Sequence, residues 1–173
     1  MIFRATRKVL NLNKLKPEKK DTELPCDLPG EWYVDIISLG KPGKFGLQFL
    51  HHPTKISLVL EGRSIKTTFL DFKNHLKDYL KRHDFEFLVD QFEINSQLEI
   101  YSTNSRSMLA IMRQIKETHE YHCLNKYNSE HINFKWLEDI HLDFPFSTKD
   151  MGNKFTSPKE ILDCYIDKNK ASS

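Results

Sequence analysis

A short run of metal-binding residue types lies in the second half of the chain and reads His119-Glu120-Tyr121-His122-Cys123. On a helix, His119 and His122 lie one turn apart on the same face. Imidazole and thiolate are ligands that zinc favours, so His119, His122 and Cys123 form a candidate metal site. The two histidines are one residue too close for the HExxH motif of metalloproteases. No second paired motif supplies further ligands, and the sequence predicts no cofactor.

Other motifs of catalytic chemistry are missing from the sequence. It contains no GxSxG nucleophile elbow, and the glycines at 40 and 43 lack the spacing of a phosphate-binding loop. The acidic stretch of Glu138, Asp139 and Asp143 suits an oxygen-coordinated cation, but it is more typical of a solvated surface. We therefore predict no catalytic residue and favour a protein that is not an enzyme.

The most distinctive polar stretch is Asn104-Ser105-Arg106, which joins a predicted strand directly to a predicted helix. The start of a helix offers free N–H groups and the positive end of the helix dipole. One interpretation is that an anion or an acidic partner docks there. The other is that Asn104 and Ser105 cap the helix while Arg106 ties the turn to a neighbouring element.

The charge of the chain is unevenly distributed. The formal net charge is +2, yet residues 1–20 contain seven basic side chains and one acidic side chain. Arg4, Arg7 and Lys8 form a basic edge that would suit an acidic partner or a phosphate backbone. The alternative is a solvated helix face. Strand aromatics such as Trp32 and Phe49 would stack on bases only if they were exposed.

The elements that position these residues follow from apolar periodicity. Three alternating runs between residues 31 and 62, separated by turns, predict adjacent antiparallel strands. The other predicted elements are strands at 2–4 and 97–103 and helices near 6–15, 68–82, 105–121 and 157–166. Ser157-Pro158-Lys159-Glu160 is a typical helix start. Together they predict an α+β fold with a mostly antiparallel sheet covered by two main helices.

The composition is rich in aromatic residues, with 12 Phe, 6 Tyr and 2 Trp. The weakest periodicity lies between residues 121 and 156, where we expect an irregular segment that wraps the core. Because aromatic side chains are favoured interface anchors, this segment supplies the interface candidates. They are Tyr127, Phe134, Trp136, Phe144 and Phe146.

One domain is expected over residues 1–173, with a surface loop at 16–30 and a polar tail at 168–173. The three cysteines are odd in number and contain no CxxC pair, which argues against a disulfide scaffold. No apolar run has the length of a membrane span, and the N-terminus becomes charged before a signal-peptide core could form. We therefore expect a cytoplasmic protein with no membrane partner.

Several short motifs resemble those of a family of small bacterial and mobile-element proteins that share an uncharacterised domain. The matching pieces are Arg4 to Leu10, Trp32, Thr54, the step from Asn104 to Ser107 into a helix near Met112, and Ser157 to Leu162. Ser105 interrupts the Asn-Arg-Ser tripeptide of that family. The resemblance covers most of the chain and implies a compact α+β domain with a plasmid or phage context. It brings no catalytic residue, because the family has no assigned activity.

Three functions are carried forward from the sequence. The first is a small intracellular protein that binds a macromolecular partner, expected to be a protein, as an inhibitor or modulator of a host or defence complex, such as an anti-defence protein or an antitoxin. The second is a nucleic-acid-binding or nucleic-acid-processing protein that uses the basic edge. The third is a metal-dependent enzyme at His119, His122 and Cys123. The oligomeric state is not determined by the sequence.

Overall fold

The computed structural model describes residues 1–18, 28–125, 133–147 and 155–171. The strands are β1 (Ile2–Ala5), β2 (Glu31–Ser38), β3 (Phe45–His52), β4 (Ser57–Glu61), β5 (Glu99–Ser102), β6 (Phe146–Ser147) and β7 (Phe155–Thr156). The helices are α1 (Arg7–Asn13), α2 (Ile65–Arg82), α3 (Arg106–Asn125), α4 (Phe134–Leu142) and α5 (Pro158–Ala171), with a 3₁₀ turn at Glu86–Leu88. The predicted α+β fold class is confirmed.

The main sheet has the strand order β4-β3-β2-β1-β5. The predicted antiparallel pairing of β2, β3 and β4 is confirmed. β1 lies between β2 and β5 and is parallel to both, so the sheet is mixed rather than mostly antiparallel. The direction of a four-residue strand depends on the connections around it, and its residue pattern carries no signal of that direction.

The two faces of the sheet are covered by different helices. Phe3, Trp32 and Phe49 point to one face, where their rings lie 4.5–5.1 Å from that of Phe72 on α2. On the other face, Tyr33 and Leu50 of the sheet pack with Met108, Ile111, Met112 and Ile115 of α3. Phe3, Trp32, Tyr33 and Phe49 therefore belong to the core. Trp32 and Phe49 are buried and have no surface for stacking on bases.

α2 begins one turn before the predicted start. Ser64, not Thr68, is the N-cap, and its side-chain oxygen accepts a hydrogen bond from the Thr67 N–H at 3.4 Å. The Thr68 hydroxyl donates to the Ser64 carbonyl oxygen at 2.7 Å, so Thr68 already lies inside the helix. The predicted start of this helix at residue 68 was therefore one turn too late. The predicted start of α5 is correct, because Ser157 and Glu160 bond reciprocally.

The segment predicted to be irregular contains the regular helix α4. Asn133 caps it by accepting a hydrogen bond from the Trp136 N–H at 3.1 Å. Its buried residues are Leu137, Glu138, His141 and Leu142. Because two of these four inward residues are polar, the apolar pattern of the helix is hidden in the sequence.

The turn between β2 and β3 supports the end of α3. Gly40 has φ +78°, and a Cβ atom built there would lie 2.6 Å from the Cys123 carbonyl oxygen. Gly43 has φ +75°, and the nearest atom to a Cβ there is 3.9 Å away. Both positions favour glycine because their φ angles are positive. Only at Gly40 does the missing side chain also let the backbone of α3 approach closely.

This pair gives a matched stability prediction. Gly43→Ala should lower the free energy of unfolding by about 1 kcal/mol, because alanine is strained at this φ. Gly40→Ala should cost about 2 kcal/mol more, because its methyl group also displaces the end of α3. Urea denaturation of both variants measures the difference, and equal losses would contradict the close approach to Cys123.

Among the described residues, no helix is both long and apolar enough to cross a membrane.

Candidate functional site

The two basic stretches singled out in the sequence begin beside each other and then separate. β1 and β5 are neighbours, with Ala5 opposite Ser102. α1 follows β1 on one face of the sheet, where Val9 and Leu10 join the core around Phe3. α3 follows β5 on the other face. Arg7 and Lys8 are exposed on α1, whereas Arg106 is exposed on α3, so they do not form one cluster.

Arg4 was predicted at the exposed basic edge, and the structure corrects this. Its side chain is 1% exposed. Its Nε donates to Glu31 Oε2 at 2.5 Å, and its Nη1 donates to the Ser102 carbonyl oxygen at 3.2 Å. Strand alternation turns Arg4 away from Phe3 and Ala5, toward the sheet face that α3 covers. Arg4 therefore belongs to a buried ion pair and is not the exposed binding residue that the sequence had predicted.

The Arg4–Glu31 pair extends into a polar network at the start of α3. The Tyr33 hydroxyl lies 3.1 Å from Glu31 Oε1 and 2.6 Å from the Asn104 side-chain oxygen. Burial, together with the nearby Glu31 carboxylate, holds the pKa of Tyr33 well above its usual range. Ser105 accepts a hydrogen bond from the Met108 N–H at 3.3 Å. Asn104 and Ser105 thus hold the beginning of α3 in place, and Arg106 extends into solvent.

α3 and α4 pack together through a line of histidine and aromatic side chains. The rings of His119 and His141 are 4.6 Å apart at 76°, and those of His122 and Trp136 are 5.1 Å apart at 85°. Cys123 is buried in a cluster against which Phe134 of α4 packs. The contacts advance along α3 while they retreat along α4, so the two helices are antiparallel. We call this contact the α3–α4 seam.

Two histidines of the seam, His119 and His141, are buried without hydrogen bonds. None of the four ring nitrogens of His119 and His141 has a partner. Burial lowers the pKa of His119 to about 3 and that of His141 to about 4, and neighbouring histidines add to both shifts. Burial also raises the pKa of the Cys123 thiol to about 11. These side chains are therefore neutral at physiological pH.

The predicted metal site is not assembled in the described part of the chain. No group of three His, Cys, Asp or Glu side chains in that part is arranged to hold a metal ion. His119 turns toward His141, His122 lies against Trp136, and Cys123 joins an apolar cluster with Ile37 and Val59. His119, His122 and Cys123 are neighbours in sequence that pack against different partners.

The acidic residues of α4 fasten it to α2 and to the edge strand β4. Glu138 is buried and accepts hydrogen bonds from His75 at 2.6 Å, from Arg82 at 3.2 Å and from the Val59 N–H at 3.1 Å. Asp139 bonds to Arg82 and to His83. Glu138 also satisfies a backbone donor of an edge strand, so α4 protects this edge from pairing with other chains.

Apolar side chains remain exposed on the outer side of the seam. Tyr121 and Leu124 of α3 are 65% and 60% exposed, and Trp136 and Ile140 of α4 are 41% and 38% exposed. Ring contacts run from Tyr121 through His122 to Trp136. Tyr121 and Leu124 are three residues apart, and Trp136 and Ile140 are four apart, so each pair shares one helix face. We call these four side chains the seam surface.

The structure divides the predicted interface residues. Trp136 lies on the seam surface. Phe146 is buried among the α3 residues and is unavailable to a partner, Phe144 is half-buried beside it, and Phe134 is half-buried under the seam. Tyr127 lies outside the described residues. Sequence reasoning missed Leu124 and Ile140, because Leu124 follows the predicted end of its helix and the helix that contains Ile140 was not predicted.

Comparison with known families gives one result. The family model described as Domain of unknown function (DUF6933) matches residues 2–161. The chain belongs to this family. The match spans every described strand and runs into α5, so the sheet, the seam and the polar network all lie within the DUF6933 domain. A search among curated proteins found no match to the chain.

Proposed function

We propose that this DUF6933 protein is a non-enzymatic binding protein that captures a short apolar segment of another protein on the seam surface. The observation that carries the proposal is the exposure of Tyr121, Leu124, Trp136 and Ile140 on two packed helices. Exposed apolar patches of this kind mark interaction sites, and Tyr and Trp are frequent anchors of binding energy.

The two helices that carry the seam surface are held in a fixed position by buried contacts. Its helices are fixed from beneath by the His119–His141 contact and by the bonds of Glu138 to α2 and β4. A surface held in one geometry before binding loses little conformational entropy when a partner arrives. The four side chains therefore form a preorganised site.

The size of the patch favours a short segment over a second copy of the chain. The four side chains expose about 400 Å² together, judged from the usual area of such residues. A stable dimer interface buries about 800 Å² on each partner, which is roughly twice that area. An amphipathic helix or strand that inserts a few apolar side chains fits this smaller patch.

The biological setting of the proposal follows from the sequence. The cysteine pattern supports a cytoplasmic location. The resemblance to mobile-element proteins suggests that the bound segment belongs to a host or defence complex that the protein inhibits or modulates, as an anti-defence protein or an antitoxin would.

Site-directed photo-crosslinking tests the proposal. A photo-reactive phenylalanine analogue is placed at Leu124 and, as a matched control, at Leu70 on α2, which is 67% exposed. After irradiation of cells of the source organism, the Leu124 position should yield an adduct with one other protein, joined through an apolar segment. The Leu70 position should not yield that adduct, because it lies on a different helix.

A second pair of variants links the adduct to the surface chemistry. Ile140→Asp should reduce the Leu124 adduct at least tenfold, since a carboxylate cannot be desolvated against an apolar segment. Leu70→Asp should leave the adduct unchanged. An adduct of the chain with itself, or equal adducts at both positions, would overturn the proposal.

A further inference from the structure

One end of the sheet collects basic residues from three separate segments. β1, β2 and β4 finish toward this end, where β3 begins. α1 follows β1 there, the turn at 39–44 joins β2 to β3, and Arg63 and Lys66 follow β4. The exposed basic residues of these segments are Arg7, Lys8, Lys14, Lys41, Lys44, Arg63 and Lys66. We call these seven side chains the basic end.

Direct contacts join the three segments into one surface. The Asn13 side chain of α1 donates to the Arg63 carbonyl oxygen at 2.9 Å and accepts from the Ile65 N–H at 3.1 Å. Arg63 in turn donates to the Gly43 carbonyl oxygen, and its guanidinium lies 4.6 Å from the Phe45 ring. The end of α1 therefore contacts the residues that follow β4. β1 and β4 are three strand spacings apart, a width of about 14 Å.

Three acidic side chains near this surface, Glu61, Asp35 and Glu120, already hold partners. Glu61 pairs with Lys44 at 3.3 Å, and Asp35 pairs with Lys116 at 2.8 Å. Glu120 accepts a hydrogen bond from the Ser38 N–H. In contrast, exposed acidic residues (Asp84, Glu86, Asp90 and Glu93) occupy the segment that leads to the amino end of β5. The net charge of +2 is therefore small although the basic residues are concentrated at one end of the sheet.

The basic end is better suited to bind the phosphate backbone of a duplex than the exposed bases of a single strand. Phe45, the aromatic residue in contact with Arg63, is half-buried, and the strand aromatics Trp32 and Phe49 are buried. Single-stranded nucleic acid is usually held by bases stacking on free aromatic rings, and the basic end presents lysines instead. Lysines spread over about 14 Å can each neutralise phosphates of a duplex without reading its sequence.

We infer that the basic end binds the phosphate backbone of double-stranded nucleic acid, independently of base sequence. This surface shares no residue with the seam surface, although the turn that carries Lys41 approaches the end of α3 at Leu124. The binding is electrostatic and weakens steeply with salt, because each neutralised phosphate releases a counterion.

Fluorescence anisotropy with a labelled 20-base-pair DNA duplex tests the inference between 25 and 300 mM NaCl. The log–log slope of the binding constant against salt should lie between about −3 and −6 for the native protein. The triple variant Lys8→Gln, Lys41→Gln, Lys66→Gln removes one exposed lysine from each segment. Its affinity at 50 mM salt should fall at least tenfold, and its slope should lose about two to three in magnitude.

A control variant removes the same charge elsewhere. Lys77→Gln, Lys81→Gln, Lys159→Gln changes three lysines on the later part of α2 and on α5, and it should retain binding within about threefold if position matters more than net charge. Circular dichroism confirms the fold of both variants. The inference is overturned if the native protein does not bind at 50 mM salt, if both variants lose affinity equally, or if the single strand binds more tightly than the duplex.

Discussion

Replacing Glu31 by alanine should lower the free energy of unfolding by about 3 to 5 kcal/mol, the usual cost of removing one partner of a buried ion pair. Arg4 would keep its charge inside the protein after the loss of the Glu31 carboxylate, while its contacts with the Ser102 carbonyl oxygen and the Tyr101 ring would remain. The Tyr33 hydroxyl would also lose one of its two partners. Urea denaturation monitored by tryptophan fluorescence measures the loss.

A control and a rescue separate the ion pair from general damage. Glu99→Ala removes an exposed carboxylate of β5 that accepts a hydrogen bond from Tyr101 on the same strand, and it should cost less than about 1 kcal/mol. The double variant Arg4→Met, Glu31→Leu should be more stable than Glu31→Ala, because it removes both charges of the buried pair together. A double variant that is no more stable than the single one would contradict the description of Arg4 as a buried charge.

The residues of this network also show where sequence reasoning failed. Arg4 lies between Phe3 and Ala5 in a strand, and alternation places it on the opposite face from them. Its charge suggested solvent, but that face is covered by α3, and its partner Glu31 is distant in sequence. A buried ion pair between distant residues leaves no local signal, so the pairing becomes visible only in the folded chain.

Where periodicity directly reflects burial, the sequence was sufficient. The runs of β2, β3 and β4, the body of α2 and the capping box of α5 were all predicted correctly. α4 was missed because Glu138 and His141 occupy inward positions that a pattern of apolar residues cannot explain. The histidines of α3 suggested a metal site because their partners on α4 were not predicted. In the structure, His119 packs against His141 of that helix.

Three buried histidines should make the protein less stable as the pH falls from 6.5 toward 4. Burial lowers the pKa of His51 to about 3, in addition to the lowered values of His119 and His141. In the unfolded chain each of them binds a proton below about pH 6.5, whereas in the folded chain each stays neutral until about pH 3 to 4. The unfolded state therefore binds more protons in this window, and stability rises with pH through it.

The size of the effect follows from the same linkage. Each histidine contributes about 1.4 kcal/mol per pH unit below 6.5, so three contribute about 4 kcal/mol per unit. Urea denaturation at pH 7.0, 6.0, 5.5 and 5.0 measures the slope above the range in which ordinary carboxylates titrate. A free energy of unfolding that does not change over this range would contradict the burial of these rings.

The hydrogen bonds of the three histidines predict different results for their replacement at pH 7. His51 Nε2 lies 2.9 Å from the Pro29 carbonyl oxygen, which can only accept, so Nε2 donates and Nδ1 accepts from Thr54 at 2.7 Å. His51→Leu therefore breaks two hydrogen bonds and should cost about 2 kcal/mol or more. His119→Leu breaks none and removes two unsatisfied nitrogens, so stability at pH 7 should be unchanged or higher.

Both variants should flatten the pH dependence by about 1.4 kcal/mol per unit, because each removes one buried site of protonation. The two variants separate two effects of a buried histidine on stability. One is the free-energy cost of protonating the ring, and the other is the contribution of the hydrogen bonds that the neutral ring makes. If His119→Leu were as destabilising at pH 7 as His51→Leu, the ring nitrogens of His119 would have to be hydrogen-bonded. The seam would then be a polar contact rather than the dry packing of two neutral rings.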